Sequence, residues 1–474
     1  MRVMKFGGTS VGDAARLRHV ADLIARQRTT HPLLVVVVSA MAGVTDALIR
    51  MSQQAREGDP EWQRTLEALR ERHRATVDDL GLPEEEARAL CEELKQGFDR
   101  VEQLAQAVTA LRELSPSVAD LLAGMGERWS ARLLAAVLRA RGIPARAVDA
   151  DAFLITDDHF GEASPNLEET RTRARAALLP LVEAGVVPVV TGFIGATREG
   201  RPTTLGRGGS DFSATILGYA LDAESVWIWT DVNGVMSADP KIVPEARTIP
   251  ELSYIEAAEM AYFGAKVLHP RTLLPCIDRR IPVRILNTFH PQHPGTWIVP
   301  EPRGNGQVKA VTLIKNMSLI TVEGRGMLGV PGVAARAFAA VAELGVSILM
   351  ISQSSSEQNI CFVIPSPAAA RVVHALRAAF EREMARRDIE HIWAMDRVAI
   401  IAVVGAGLRA TPGIAARVFN ALGAGRINVL SIAQGSSEYN LSLVVAENDA
   451  EEAVRHIHAA FYEQEAPTPQ AKGP

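Results

Sequence analysis

A cation followed by two glycines stands near the start of the chain, in the run Lys5-Phe6-Gly7-Gly8-Thr9-Ser10. The run follows a short apolar stretch and precedes a helical pattern that Asp13 can cap, which predicts a strand, a glycine turn and a helix N-terminus. Glycines let the backbone approach a bulky anion, and free N–H groups at a helix start favour negative charge. The run therefore predicts a phosphate site with Lys5 as its cation; a tight turn without a ligand is the alternative.

Lysine is rare in this chain, because only seven of its 50 Lys and Arg residues are lysines. Three of the seven, Lys5, Lys241 and Lys266, fall in predicted loops. Lysine is a compact point charge on a flexible stem, whereas arginine carries a planar fork. The use of lysine at these three positions therefore indicates a role in neutralising phosphate charge.

Two further glycine-rich stretches carry charged side chains. Gly206-Arg207-Gly208-Gly209-Ser210-Asp211 leads into a helical pattern, where Arg207 can grip a carboxylate through two hydrogen bonds. Asp211 as a simple helix cap is the alternative there. In Gly124-Met125-Gly126-Glu127, two glycines interrupt a helical pattern beside a carboxylate, which indicates close approach of a ligand or of another backbone segment. A surface position for Glu127 is the alternative.

Composition restricts the function classes. The chain has 474 residues, 47% of them hydrophobic and 22% charged, which is typical of globular proteins of two to four domains. A formal charge of −5 gives no basic footprint for nucleic acid. Three scattered cysteines predict neither a disulfide framework nor a metal site, and they fit a reducing cytoplasm. No signal peptide or membrane-spanning stretch is expected.

The pattern of elements predicts an α/β protein with a parallel sheet. Residues 33–38 form an aliphatic run typical of a buried parallel strand, and residues 52–138 are almost entirely helical in pattern. Strands are predicted at 145–148, 186–190, 226–230 and 282–287, the last being the final strand of the sheet. The proline-rich residues 291–302 are predicted to be a linker. Ligands of such sheets bind at the carboxyl ends of the strands.

The last third of the chain contains an internal repeat at an offset of 81 residues, since Gln353 recurs as Gln434 and Asn359 as Asn440. Each copy is predicted to run strand, Pro-Gly loop, helix, strand, polar turn, strand. Matched polar residues in the turns indicate paired small-ligand sites, and a purely structural repeat is the alternative.

These motifs in this order resemble the aspartate kinases of the amino-acid kinase family, and the repeat resembles tandem ACT domains. The resemblance covers nearly the whole chain and rests also on Thr230-Asp231-Val232-Asn233-Gly234 and Phe263-Gly264-Ala265-Lys266-Val267-Leu268-His269-Pro270. It is similar to the kinase half of bifunctional aspartate kinase–homoserine dehydrogenases, and no second catalytic domain is expected in these 474 residues.

The resemblance implies a three-layer sandwich with a mainly parallel central sheet, followed by α+β tandem ACT domains. It implies a catalytic domain over residues 1–300, ACT domains over 301–465 with copies at 317–391 and 392–465, and a disordered tail at 466–474. The strand 308–315 can join the second copy.

Residue roles follow from the same resemblance. Lys5 and Asp211 are implied as catalytic residues. Aspartate is implied to contact Thr45, Glu127, Arg207, Gly208, Gly209 and Ser210. ATP is implied to contact Lys5, Phe6, Gly7, Gly8, Thr230, Asp231, Met236, Lys241, Lys266 and Val267. The sequence departs from the family at two of these positions, because Met236 stands where tyrosine is frequent and Lys241 where arginine is frequent.

The implied reaction transfers a phosphoryl group from ATP, with Mg²⁺, to L-aspartate, and no other metal is implied. An amino-acid effector is implied at Gln353, Asn359, Gln434 and Asn440, with threonine favoured and lysine as the rival. A homodimer or larger homo-oligomer is implied through the ACT domains, with no nucleic-acid or membrane partner. The alternatives are another kinase of the same fold, acting on glutamate or acetylglutamate, and an amino-acid sensor with an inactive kinase domain.

Overall fold

The computed structural model describes residues 1–264, 268–302, 308–327, 330–353, 358–408, 410–434 and 439–462. The chain divides into two compact units. The first holds Met1–Val235, Pro250–Tyr254 and Val267–Pro302, and the second holds Met236–Ile249, Ile255–Lys266 and Arg303–Pro474. The predicted boundary near residue 300 does not anticipate that two earlier stretches belong to the second unit.

An eight-stranded sheet forms the centre of the first unit, in the order β3-β4-β2-β1-β7-β9-β10-β8. The six strands from β3 to β9 are parallel, whereas β10 runs antiparallel to β9 and pairs in parallel with β8. A separate hairpin joins β5 and β6. The strands are β1 (Arg2–Phe6), β2 (Leu34–Val38), β3 (Ala145–Val148), β4 (Val187–Thr191), β5 (Ile194–Ala196), β6 (Pro202–Thr204), β7 (Ser225–Thr230), β8 (Glu251–Ser253), β9 (Val283–Asn287) and β10 (Thr296–Val299).

The prediction of a linker at 291–302 is wrong for its second half. Residues Thr296–Val299 form β10, and the strand at 283–287 is therefore not the last of the sheet. The prolines around β10 concealed it, because prolines occur at strand ends and edges as well as in linkers. Four residues that alternate between buried and half-buried are also too few for a periodicity to be read with certainty.

Helices cover both faces of this sheet, which gives the predicted three-layer sandwich. The predicted helical region at 52–138 is confirmed. Met4 and Phe6 of β1 pack into one core cluster with α1 and α6, whereas α8 packs on the opposite face. The helices are α1 (Ala14–Thr30), α2 (Val44–Glu57), α3 (Glu61–Leu80), α4 (Glu84–Leu111), α5 (Pro116–Ala123), α6 (Met125–Ala140), α7 (Leu167–Glu183), α8 (Gly209–Ala220), α9 (Tyr254–Tyr262), most of which belongs to the second unit, and α10 (Leu274–Asp278).

Local sequence explains the start of the first unit. Every residue of β1 and of β2 is buried, as expected for central parallel strands covered on both faces. The predicted cap of α1 is confirmed, because Oδ1 of Asp13 accepts a hydrogen bond from the N–H of Arg16 at 2.9 Å. Side chains alternate along a strand, so Lys5 faces the side of α8 while its neighbours Met4 and Phe6 face α1 and α6.

The second unit is built on one antiparallel sheet in the order β12-β13-β11-β14-β16-β15. The strand, helix, strand, strand order predicted for each repeat is confirmed. The elements are β11 (Ala310–Glu323), α11 (Val333–Ala342), β12 (Met350–Gln353), β13 (Asn359–Pro365), α12 (Ala369–Ala379), α13 (Glu381–Arg386), β14 (His391–Val404), α14 (Ile414–Ala424), β15 (Val429–Ala433), β16 (Asn440–Ala446) and α15 (Ala450–Tyr462).

The two repeats share their central strands. Residues 310–314 of β11 pair with 400–404 of β14, while residues 317–323 of β11 pair with β13 of the first copy. Among the described helices of the whole chain, none combines the length and the apolarity needed to cross a membrane.

Candidate active site

An open cleft of about 330 Å³ lies at the carboxyl ends of the parallel strands of the first unit. Its walls come from the turns after β1, β2 and β4 and from the starts of α2, α6 and α8. The lining residues are Lys5, Gly8, Ser39, Ala40, Met41, Ala42, Gly43, Thr45, Asp46, Glu127, Phe193, Gly206, Gly208, Gly209, Ser210 and Asp211. The structure thus brings together residues of three predicted motifs, of which neighbouring ones along the chain are about 80 or more positions apart.

An ion pair joins the first and third motifs. Nζ of Lys5 lies 2.5 Å from Oδ1 of Asp211, and both side chains are largely buried. Asp211 does not cap α8, because the N-cap position is taken by Gly208 in a left-handed conformation. Asp211 instead lies in the first turn of α8 and holds the Lys5 ammonium at the cleft.

Three helices begin at this cleft, namely α2, α6 and α8. Thr45 lies in the first turn of α2, and Ser210 lies in the first turn of α8. The first N–H groups of a helix have no partner within the helix, and the helix dipole favours negative charge at this end. The cleft therefore combines a buried ammonium with helix N-termini, a combination suited to phosphate or carboxylate ligands.

Two glycines permit the close packing of the walls. A Cβ on Gly8 would lie 2.7 Å from the carbonyl oxygen of Ala40, and a Cβ on Gly126 would lie 2.6 Å from Cβ of Ala40. Distances under 3 Å require a displacement of the backbone, so the loop after β2 can sit between β1 and α6 only with glycine at both positions. The approach predicted at Gly126 is therefore an approach of backbone segments.

Glu127 is 3% exposed and faces the cleft from α6. Its Oε1 accepts a hydrogen bond from the N–H of Ala40 at 3.1 Å, while its Oε2 has no hydrogen-bond partner within the described residues. Burial raises the pKa of the Glu127 carboxyl to about 7, and the Ala40 N–H and the charge of Lys5 offset part of this effect. A buried carboxylate with a vacant oxygen is suited to bind a cationic group of a ligand.

The residues of the first glycine run differ in the contacts that they can offer to a ligand. The ring of Phe6 is fully buried and stacks on Trp229, with ring centroids 6.0 Å apart, so Phe6 offers no side-chain contact to a ligand. The N–H of Gly7 donates to the carbonyl oxygen of Trp229 at 3.2 Å. Within the described part of the chain, the N–H of Gly8 makes no hydrogen bond and remains available to an anion.

Thr230 ends β7, the strand beside β1, and Asp231 follows it; neither residue lines the cleft. The side-chain amide of Asn287, at the end of β9, donates to the carbonyl oxygen of Asp231 at 3.3 Å and to Oδ1 of Asn233 at 2.8 Å. Asn287 thus fixes the turn that carries Asp231, a role that the sequence did not indicate.

Met236 and Lys241 belong to the second unit. The sulfur of Met236 accepts a hydrogen bond from the hydroxyl of Thr248 at 3.5 Å, and the backbone N–H of Lys241 donates to Oδ1 of Asp239 at 2.9 Å in an exposed turn. Lys266 and Val267 lie outside the described residues. The nucleotide contacts implied for these four positions remain predictions.

The side chain of Arg207 is exposed and does not line the cleft, although Gly206 and Gly208 on either side of it do. It borders a separate small pocket with Glu162, His269 and Arg271. Both flanking glycines have positive φ, 75° and 71°, so the Arg207 backbone is held between two left-handed residues. Its implied contact with a carboxylate remains a prediction.

Arg72 of α3 is a residue that sequence reasoning missed. Its guanidinium donates to the carbonyl oxygen of Ala42 at 2.9 Å and to that of Gly12 at 3.1 Å. It thereby ties the loop after β1 to the loop after β2, which are also joined by the N–H of Ala42 and the carbonyl of Gly8. No sequence signal distinguishes Arg72 from the other arginines of the helical region, because its partners are backbone atoms.

In the second unit, Gln353 ends β12 and Gln434 follows β15, and both are exposed. These two edge strands meet, since the hydroxyl of Ser352 donates to the carbonyl oxygen of Ile432 at 3.1 Å. Asn440 donates to Oε2 of Glu259 in α9 at 2.9 Å, whereas Asn359 has no side-chain hydrogen bond within the described residues. The matched residues of the two copies therefore differ in their partners.

The sequence model of the amino acid kinase family matches residues 1–287, and that of the ACT domain matches residues 320–380 and 401–461. Bifunctional aspartokinase/homoserine dehydrogenase 2 of Arabidopsis thaliana, a chloroplastic protein, is 38% identical over 467 residues, which cover 97% of this chain and 50% of that protein. The chain thus spans about half the length of the bifunctional relatives that it matches.

Two comparisons extend over whole proteins. Lysine-sensitive aspartokinase 3 of Escherichia coli is 33% identical over 461 residues, which cover 97% of this chain and 99% of that protein. The crystal structure of E. coli aspartokinase III in complex with aspartate and ADP, described as the R-state, superposes with a TM-score of 0.81 at 32% identity and covers 98% of this chain and all of that one.

Proposed function

Because this chain belongs to the amino acid kinase family, and within it to the aspartokinases, we propose that it transfers the γ-phosphoryl group of ATP to the β-carboxylate of L-aspartate, giving ADP and 4-phospho-L-aspartate. The observation that carries this proposal is the cleft in which Lys5, held by Asp211, and the buried Glu127 converge. A cation for a phosphoryl group and a carboxylate for an ammonium are the two charges that the reaction requires.

The nucleophile of this reaction needs no general base. The β-carboxylate of aspartate is already ionised at neutral pH, so its oxygen can attack the γ-phosphorus directly. Catalysis then consists of in-line positioning and of stabilising the charge on the transferring group. Lys5, the N–H of Gly8 and the start of α8 supply positive charge and hydrogen-bond donors, and this role accounts for their convergence at the cleft.

Aspartate occupies the part of the cleft lined by Thr45, Glu127 and Ser210 in this proposal. The vacant Oε2 of Glu127 accepts from the substrate's α-ammonium, which also removes the cost of leaving that oxygen buried without a partner. Arg207 binds the α-carboxylate after its side chain turns from the neighbouring pocket to the cleft. An aspartate KM that is unchanged by Arg207→Ala would exclude that movement.

The nucleotide lies beyond Lys5, toward Thr230 and Asp231, with Met236, Lys241, Lys266 and Val267 as the further contacts implied by the family resemblance. Mg²⁺ accompanies ATP and neutralises charge on its phosphates. In the described ranges, no group of three His, Cys, Asp or Glu side chains is arranged to hold a metal ion. Mg²⁺ needs only one or two protein carboxylates beside phosphate oxygens and water, and Asp46 and Asp211 are carboxylates of the cleft that would be placed to supply them.

A single assay tests the proposed reaction. The full-length protein is incubated with Mg–ATP, hydroxylamine and, in turn, aspartate, glutamate and N-acetylglutamate, and the acyl hydroxamate is measured. We expect hydroxamate from aspartate alone. Hydroxamate from glutamate or N-acetylglutamate would identify the chain as another kinase of this fold. If no acid gives hydroxamate, the proposed reaction is wrong and the alternative of an amino-acid sensor with an inactive kinase domain is favoured.

Regulation by an end-product amino acid is the second part of the proposal, with the paired repeats as the sensor. Threonine is favoured by the similarity to the bifunctional enzymes, and lysine is the rival because a full-length relative is lysine-sensitive. Calorimetric titration of the protein with each amino acid separates the two, and no heat with either would exclude the sensor role.

Assembly and compartment complete the proposal. Equivalent apolar residues, Ile351 and Ile432, are exposed on the two meeting edge strands, which supports a homodimer or larger homo-oligomer formed through the repeats. Sedimentation of the full-length protein tests this oligomeric state.

The three free cysteines suit a reducing compartment, and the cytoplasm is proposed.

A further inference from the structure

A second cavity of the first unit, of about 470 Å³, has no part in the proposed reaction. Its walls are one face of α4, one face of α6 and the edge strand β3. The lining residues are Glu93, Gln96, Gly97, Arg100, Met125, Arg128, Trp129, Arg132, Arg139, Arg146, Ala147 and Asp149. Five arginines and two carboxylates thus surround a space of the size that small-molecule sites usually have.

Three of the five arginines are neutralised by neighbouring carboxylates. Arg128 pairs with Asp149 and with Asp151, each at 2.6 Å, and Arg132 pairs with Asp149 at 2.8 Å. Arg139 pairs with Glu86. These pairs hold the wall in one arrangement and leave little net charge on it.

The other two arginines are unpaired. Within the described ranges, Arg100 of α4 and Arg146 of β3 are exposed and make no ion pair and no hydrogen bond with the protein. They stand on two different walls of the same cavity. A guanidinium presents a planar fork of donors that matches phosphate and carboxylate oxygens, so each can bind one acidic group of a ligand.

A buried donor in the cavity wall supplies an independent indication of a ligand. Trp129 is 1% exposed, and its Nε1 has no hydrogen-bond partner among the described residues. A Cβ on Gly97 would lie 2.6 Å from this nitrogen, so only glycine at position 97 lets α4 pack beside the indole N–H without a side chain covering it. Glycine in the middle of a long helix lowers its stability, which makes a specific reason for Gly97 necessary.

From this arrangement we infer that the cavity binds a compact polyanion whose phosphate or carboxylate groups engage Arg100 and Arg146 and accept a hydrogen bond from the indole N–H of Trp129. A nucleobase is not expected, because Trp129 is the only aromatic side chain in the lining and its ring is buried against Phe98, with centroids 4.0 Å apart. The inference does not depend on the proposed activity. Because Arg128 follows Glu127 on α6, the same helix contributes to both cavities.

Calorimetric titration of the full-length protein with inorganic triphosphate and, separately, with citrate tests the inference. Each titration is repeated in Lys5→Ala, which removes the cation of the catalytic cleft. We expect saturable binding of at least one probe that persists in Lys5→Ala. Binding of triphosphate alone would identify a phosphate ligand, and binding of citrate alone a polycarboxylate. Absence of saturable binding for both probes, or loss of binding in Lys5→Ala, would overturn the inference.

Cavity variants locate the bound anion. The double variant Arg100→Ala/Arg146→Ala should weaken binding by at least about tenfold, because two charge-assisted hydrogen-bonding groups are lost. Arg88→Ala is the matched control, since Arg88 is exposed on the same helix α4 and lies outside the cavity. Equal affinities in the double variant and the control would place the anion elsewhere and overturn the inference.

Two milder variants give effects of opposite sign. Trp129→Phe keeps an aromatic ring and removes the donor, so it should weaken binding. Glu93→Gln removes a negative charge from the cavity rim, so it should strengthen binding. Thermal unfolding of each variant shows that it is folded. If neither change alters the affinity, the anion does not occupy this cavity and the inference fails.

Discussion

In the cleft of the first unit, Lys5, Glu127 and Asp211 are largely buried, and each has a fixed neighbour before any ligand arrives. In the second unit, the matched residues Gln353 and Gln434 are exposed at the ends of two edge strands. Buried charges act in a medium of low dielectric, where their interactions are stronger than in water, whereas exposed amides exchange their partners with solvent.

The difference indicates a division of tasks. A cleft with prearranged charges is suited to stabilising a transition state, because no reorganisation is needed at the moment of reaction. Exposed residues on paired strands are suited to reversible binding at modest affinity. Substitutions in the cleft should therefore have larger effects than substitutions in the repeats, and effects on catalysis and on effector binding should be separable.

Lys5→Ala is expected to have the largest effect. The variant should lower kcat by about 10²- to 10³-fold with a smaller change in the aspartate KM, because the Lys5 contact is strongest when charge develops on the transferring phosphoryl group. Steady-state kinetics check this, with Lys95→Ala as a control for a lysine exposed on α4. Equal changes in kcat and KM would contradict the proposed role of Lys5 in stabilising the transition state. Unchanged effector binding would confirm that catalysis in the cleft and effector binding in the repeats can be altered separately.

Glu127→Gln should raise the aspartate KM by about 10- to 100-fold, because an ammonium loses its charged partner. The effect should depend on pH. Since the pKa of Glu127 in the free protein is about 7, the carboxyl is protonated below this value and binds the ammonium weakly, so the wild-type KM should fall as the pH rises through 7. In Glu127→Gln this dependence should vanish. A pH profile that is identical in both proteins would contradict the assignment.

The same raised pKa has a consequence for stability. The folded protein binds the Glu127 proton more tightly than the unfolded chain does, so this group stabilises the fold least above pH 7. Without ligand at about pH 8, Glu127→Gln should therefore have a higher melting temperature than the wild type. A lower melting temperature would contradict this. It would show that contacts within the folded protein offset the cost of burying the ionised Glu127 carboxylate, although its Oε2 has no hydrogen-bond partner among the described residues.

Arg72→Ala should have an intermediate effect, with kcat/KM about tenfold lower, because two charge-assisted hydrogen bonds between the loops at the cleft are lost while no ligand contact is removed. Arg74→Ala is the matched control, since Arg74 is exposed on the same helix. Arg72→Lys should recover part of the activity. If Arg74→Ala is as impaired as Arg72→Ala, general destabilisation of α3 explains both.

The smallest effects are expected in the repeats and should be unequal between the copies. An effector can use Asn359 directly, whereas it must compete with Glu259 for Asn440. Asn359→Ala should therefore raise the effector concentration for half-inhibition by about three- to tenfold, and Asn440→Ala should raise it less. Inhibition curves with threonine and lysine measure both. A larger effect of Asn440→Ala would reverse the comparison between the copies.

Several features of the fold could be predicted from the sequence because they depend on neighbouring residues. The aliphatic run of β2, the cap at Asp13, the helical region at 52–138 and the repeat of 81 residues all follow from local composition or periodicity. The strand β10 could not be predicted, because it is short and flanked by prolines. Its place is decided by pairing with β9 and β8, which no local pattern records.

The sequence by itself determined which charges this protein carries and that they stand at glycine turns beside helix starts, since spacing and residue type are local properties. Only the tertiary structure decided their partners. Lys5 meets Asp211 because β1 and α8 pack together, and Arg72 bridges loops whose partner residues lie 30 and 60 positions away. Asn359 and Asn440 occupy equivalent positions in the repeat, yet α9 contacts only Asn440 by a hydrogen bond within the described residues. Contacts between distant segments depend on the packing of whole elements, and that packing is fixed only when the chain folds.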